Sequence, residues 1–84
     1  MKSCLITFRS VTPAQRAELV LRRAGIDCNM RRTPRWMEEQ GCGYSLQLQC
    51  KDMPRAIELL RSRGIHYGKT YSKNGENSIQ EIEL

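Results

Sequence analysis

The chain has 84 residues and a mass of 9.7 kDa, enough for one small domain and too little for a two-domain enzyme with an interdomain cleft. Hydrophobic residues make up 39% and charged residues 27%, a globular balance that is too apolar for a disordered chain. The formal charge of +5 is uneven: residues 1–35 carry eight Lys or Arg against Glu18 and Asp27, and residues 72–84 carry Lys73 against three glutamates. Such a field favours anionic partners without choosing among nucleic acid, an acidic protein surface and a small anion.

No stretch approaches the roughly 20 apolar residues that cross a bilayer, and the apolar run after Met1 is too short for a signal peptide. The expected compartment is therefore the cytoplasm, and no membrane partner is expected. There Cys4, Cys28, Cys42 and Cys50 are expected as free thiols. No Cys-x-x-Cys is present and His66 is the single histidine, so neither a zinc ribbon nor a zinc finger can be assembled, and no metal or cofactor is expected. Any Ser-His-Asp or Cys-His site would depend on His66, at the start of a predicted strand with nothing nearby to mark it.

In chain order, Cys4 to Phe8 is a short, partly β-branched apolar run and reads as a strand. Thr12 followed by Pro13, with Gln15 three residues after Thr12, predicts a capped helix start. Ala14, Ala17, Val20, Leu21 and Ala24 form its apolar stripe, and Gly25 its stop. Ile26, Cys28 and Met30 alternate with polar residues as a half-buried strand does. Residues 33–43 form a long connection, with one helical turn predicted between Pro34 and Gln40. Tyr44, Leu46, Leu48 and Cys50 then alternate with Ser45, Gln47 and Gln49 in a third strand. Asp52 reads as the N-cap of a second helix striped by Ala56, Ile57, Leu59 and Leu60 and ending at Gly64, and Ile65 to Tyr71 as a fourth strand.

Arg16-Ala17, Leu21-Arg22 and Gly25-Ile26 recur 39 residues later as Arg55-Ala56, Leu60-Arg61 and Gly64-Ile65. A β-α-β unit occurring twice predicts an α+β fold of the ferredoxin-like, split β-α-β kind: four antiparallel strands with both helices on one face. Residues 1–71 are expected to hold this domain and 72–84 a polar extension. In that extension Asn74-Gly75 signals a hairpin that would add an edge strand, the alternative being a frayed tail.

Cys4, Cys28 and Cys50 each share a strand face with apolar neighbours and read as quiet core residues. Cys42 differs, lying in the long connection between Gly41 and Gly43, whose missing side chains leave room for another molecule to approach the sulfur. Arg31, Arg32 or Arg35 would favour its thiolate, whereas Glu38, Glu39 and the C-terminal end of a preceding helical turn would oppose it. Two readings stay open at this point: a reactive thiol, or a loop cysteine whose glycines serve only the turn.

Thr33-Pro34-Arg35, then Cys42-Gly43 after a spacer, lie between a strand–helix–strand unit ending Leu-x-x-Ala-Gly-Ile and a strand–helix unit ending Gly-Ile. Over about residues 3–71 this series resembles the small domain family described as selenium/sulfur carrier-like proteins. The resemblance implies a ferredoxin-like fold in which Cys42 carries sulfur or selenium as a persulfide-type adduct, supported by Thr33, Pro34, Arg35, Gly41 and Gly43. It also implies a donor of the cysteine desulfurase type and a sulfur- or selenium-using acceptor, a relay rather than a conventional enzyme. Two other classes compete with it. A binding or regulatory module acting through protein contacts, including pairing of two copies, fits the modest core. Its RNA-binding version lacks the sheet-face aromatics that stack bases, because the third strand offers Ser45, Gln47 and Gln49 there. A copper carrier would need paired soft ligands after the first strand, where Arg-Ser-Val-Thr-Pro stands instead. Trp36 fits either a core cap or an exposed anchor for a protein partner.

Overall fold

The computed structural model describes residues 3–32, 43–73 and 79–82. Strand β1 (Ser3–Phe8) leads into helix α1 (Val11–Arg23) and strand β2 (Cys28–Arg32). Strand β3 (Tyr44–Gln49), a 3-10 turn (Cys50–Asp52), helix α2 (Met53–Ser62), strand β4 (Thr70–Lys73) and strand β5 (Ile79–Ile82) complete the order. Among the described residues the fold is α+β, with two α-helices and a five-stranded sheet of order β2-β3-β1-β4-β5 in which every pairing is antiparallel.

Period-two alternation sends Cys4, Ile6 and Phe8 of β1 to one side. There they join Leu46 and Leu48 of β3 and Cys28 of β2 in a single core with Ala14, Ala17 and Leu21 of α1 and Ala56, Ile57 and Leu60 of α2. The small alanines let the helices lie close to the strands, while Phe8 and Leu21, both at 0% exposure, fill the space between them. Leu5 and Thr7 point to the opposite side of β1 and are buried as well, so the central strand is covered on both faces.

Both helices end in the same way. Gly25 (φ +81) donates its N–H to the Arg22 carbonyl at 3.0 Å and Ile26 donates to Leu21 at 2.9 Å. Gly64 (φ +67) donates to Arg61 at 3.1 Å and Ile65 to Leu60 at 2.9 Å. These are Schellman closures, in which a left-handed residue satisfies two carbonyls that the helix leaves without partners. The 39-residue repeat is thus a repeated helix ending: leucine, arginine, two variable positions, glycine, isoleucine. In both copies the isoleucine is buried.

Several boundaries differ from the sequence reading. α1 begins at Val11 with Ser10 as its N-cap and no side-chain cap bond, so Thr12 lies inside the first turn and the Thr12–Gln15 capping box does not form. β2 begins at Cys28 because Ile26 is used by the closure of α1. Ile65 likewise belongs to the closure of α2, so β4 begins five residues later, at Thr70. Residues 65–69 approach β1 irregularly, tied at Thr7: its hydroxyl donates to the Lys69 carbonyl (3.0 Å) and accepts from the Lys69 N–H (2.8 Å). Its carbonyl accepts from Gly68 at 2.6 Å. The edge strand expected from the extension is present as β5, a fifth strand paired along β4 from Thr70↔Ile82 to Lys73↔Ile79. The Thr70 hydroxyl donates to the Ile82 carbonyl, and Lys69 meets Glu81 at 3.2 Å. Asn74-Gly75 and the single helical turn expected between Pro34 and Gln40 lie outside the described residues.

The cysteine expectation is also corrected. Cys4 and Cys50 form a disulfide, with Cα atoms 5.0 Å apart, instead of two free core thiols. Ser3 is the register partner of Gln49, and the 3-10 turn that follows carries Cys50 back over Cys4. That brings the two Cα atoms within bonding range.

Candidate functional site

β2 and β3 form a hairpin whose last register pair is Arg32↔Tyr44, so residues 33–43 leave and rejoin the sheet at neighbouring positions. Tyr44 is also the partner of Phe8, the last residue of β1. The connection therefore starts and ends at the sheet end where β1 runs into Arg9, Ser10 and the first turn of α1. The topology alone dictates this, because two antiparallel neighbours joined in sequence must be connected at one end.

Thr33, Pro34, Arg35, Gly41 and Cys42, with Trp36, lie outside the described residues. Gly43 is described, and a Cβ built on it would meet nothing within 4 Å. Its φ is not positive, so neither crowding nor backbone angle among the described residues demands a glycine there. At the base of the connection Arg31 and Arg32 are exposed and make no ion pair among the described residues, and the Ser45 hydroxyl donates to the Arg31 carbonyl at 3.5 Å. Two cations without an ion-pair partner among the described residues therefore stand at the strand end that precedes the connection.

The remaining cysteines are withdrawn from chemistry. Cys4 and Cys50 are bonded to each other. Cys28, 4% exposed, donates its S–H toward the Glu18 carbonyl at 3.9 Å, and burial pushes its thiol above the ordinary range despite the nearby Arg22. Arg22 itself is divided between Glu18 (3.5 Å) and the Cys28 carbonyl (3.0 Å). A neutral buried thiol is a poor nucleophile, which agrees with the core reading of Cys28.

Sequence reasoning missed a second feature at the same end of the sheet. His66 does not begin a strand. With Arg9, Arg16 and Tyr67 it lines a cleft of about 420 Å³ between the start of α1 and the segment 64–68. The signal that could have found it is the glycine pair Gly64 and Gly68 around a single His-Tyr dipeptide, but the arginines opposite are contributed by residues some 50 positions away in the chain, at 9 and 16.

The described residues form a small α+β domain in which Cys4, Cys28 and Cys50 belong to the body of the fold, either bonded or buried. Residues 3–72 match the family described as "Putative Se/S carrier protein-like", and the chain belongs to that family. No curated protein and no solved structure gives a significant match. No helix among the described residues is long and apolar enough to cross a membrane.

Proposed function

We propose that this protein is a sulfur or selenium carrier in which Cys42 is the loading site. One observation carries the reading beyond family membership. Of the four cysteines, two are joined in a disulfide and a third is buried with its thiol held neutral, which leaves Cys42 for exchange. In the first step the Cys42 thiolate attacks the outer sulfur of a persulfide on a donor of the cysteine desulfurase type. The donor's S–S bond breaks, its cysteine leaves as thiolate, and Cys42 becomes Cys-S-S⁻, or Cys-S-Se⁻ when selenium is delivered. In the second step an acceptor nucleophile takes the terminal atom and regenerates the Cys42 thiolate. Exchange of this kind needs an accessible thiolate and no built-in general base, so a domain without a deep pocket is adequate. Arg31 and Arg32 at the hairpin base, with Arg35 in the connection, favour the anionic thiolate and adduct, and Gly43 leaves room for a partner's sulfur. Thr33, Pro34 and Gly41 complete the supporting loop.

The order β2-β3-β1-β4 of the first four strands supports reading them, with α1 and α2, as a ferredoxin-like unit in residues 1–71, to which residues 72–84 add the edge strand β5. A second reading, a module that binds protein or a second copy by strand addition, is favoured by β2, an edge strand with exposed Asn29, Arg31 and Arg32. Peptide mass spectrometry after incubation with a cysteine desulfurase and cysteine separates the two. Carriage gives one added sulfur on the Cys42 peptide, lost in Cys42→Ser. Absence of the adduct, or equal modification of Cys28, removes the carrier reading in favour of the binding module.

A further inference from the structure

Two arginines and the single histidine, from separate parts of the chain, line the cleft at the start of α1: Arg9 just after β1, Arg16 from α1 and His66 from the segment after α2. Among the described residues no aspartate or glutamate lines it. Arg9, Arg16 and His66 make no ion pair or side-chain hydrogen bond among the described residues, whereas Glu18 and Glu81 are engaged by Arg22 and Lys69. Tyr67 packs partly against the core and closes one wall. A smaller concavity of about 250 Å³ shares residues 64–67 and adds Arg61, so the positive lining continues past His66.

Like charges gathered around one concavity raise the energy of the folded chain, and carboxylates placed among them would relieve that repulsion. None of the described residues places one here. The described lining therefore presents guanidinium and imidazole donors that are exposed and open to a partner from outside, and guanidinium forks match oxyanions in two-point geometry. The first turn of α1, to which Pro13 of the lining belongs, carries no acidic residue that would offset the positive end of the helix dipole. The volume is that of a small-molecule site, not of a macromolecular groove. We propose that this cleft binds a small phosphate-class oxyanion, free or as the phosphate of a small metabolite, held chiefly by Arg9 and Arg16 with His66 as a further donor. The proposal does not rest on Cys42 and stands whether or not the carrier reading does.

The test is a titration of the full chain with inorganic phosphate and, separately, with adenosine 5′-monophosphate. It is followed by amide NMR shifts at fixed ionic strength, with adenosine as the neutral control. Saturable shifts concentrated at residues 9–16 and 64–68 are expected. Arg9→Gln and Arg16→Gln should each weaken phosphate affinity about tenfold, the loss of one charge-assisted hydrogen bond. Arg55→Gln, which removes the same charge from the outer face of α2, should leave it within about twofold. Tighter binding of the nucleotide than of phosphate, with adenosine silent, identifies a phosphorylated metabolite. Equal affinities identify a free oxyanion. Unsaturable shifts spread over all basic residues, or equal weakening by Arg55→Gln and Arg16→Gln in variants that keep the wild-type melting midpoint, would overturn the proposal.

Discussion

Breaking the Cys4–Cys50 bridge is the perturbation whose size the structure fixes best. The bridged residues are 46 positions apart, so the bond closes more than half of the chain into a loop and sharply restricts the unfolded state. The chain-entropy relation for a loop of this length gives about 4 kcal/mol at 25 °C, and native bridges commonly deliver about 2–4 kcal/mol. For a domain of this size each kcal/mol moves the melting midpoint by about 4–8 °C, so a loss of about 3 kcal/mol lowers it by about 12–24 °C. The small core makes such a change a large share of total stability. The assay is thermal unfolding by circular dichroism of the oxidised protein and of the same protein reduced and kept under reductant. A Cys4→Ala/Cys50→Ala variant serves as a third sample that cannot re-form the bond. The reduced protein and the double variant should melt within a few degrees of each other and far below the oxidised form. Equal midpoints for oxidised and reduced protein would refute the reasoning. So would thiol labelling of Cys4 and Cys50 in unfolded protein that has not been reduced.

Further outcomes follow from single residues. Gly25→Ala and Gly64→Ala each force a side chain into the left-handed region and should cost about 1–2 kcal/mol in chemical denaturation. Gly43→Ala should change stability by less than about 0.5 kcal/mol. If Cys42 loading needs a partner's close approach, the same change will slow persulfide transfer, and unaltered transfer would show that the glycine gives no access. Thr7→Val removes the hydroxyl that pairs with both the N–H and the carbonyl of Lys69, and in a site 1% exposed it should cost about 1–3 kcal/mol, read as a lower urea midpoint at unchanged slope. Because burial raises the Cys28 thiol in the folded state, the unfolded chain loses that proton first as pH rises. The contribution of Cys28 to stability should therefore fall from about pH 8.5 upward, and Cys28→Ala should flatten that fall in pH-dependent denaturation.

How far the sequence could be read depended on whether a signal was local. The apolar stripe of Ala14, Ala17 and Leu21, the alternation around Leu46 and Leu48, and the two Gly-Ile helix endings all report contacts made within a few residues. Each is therefore written in a short window of sequence. Thr12-Pro13-Gln15 is not the helix start because Ser10, already extended and two residues past the end of β1, begins the turn earlier. The fourth strand was drawn too early because Ile65 has the composition of a strand residue but is spent on closing α2. Free core thiols were expected because the spacing of Cys4 and Cys50 says nothing about strand register. Pairing β1 with β3 set Ser3 beside Gln49 and brought the two sulfurs together. The candidate thiol at Cys42 was legible from its glycines and from the Thr-Pro-Arg motif, whereas the basic cleft was not. Arg9, Arg16 and His66 become neighbours only once the sheet sets the end of β1 beside the segment that follows α2. The sequence by itself determined the elements and singled out one cysteine, because periodicity and capping act at short range. The bridge and the cleft come from tertiary structure, because register and layer packing bring together residues that no local pattern relates, and the pairing of β5 along β4 settles between the two readings left open for the extension.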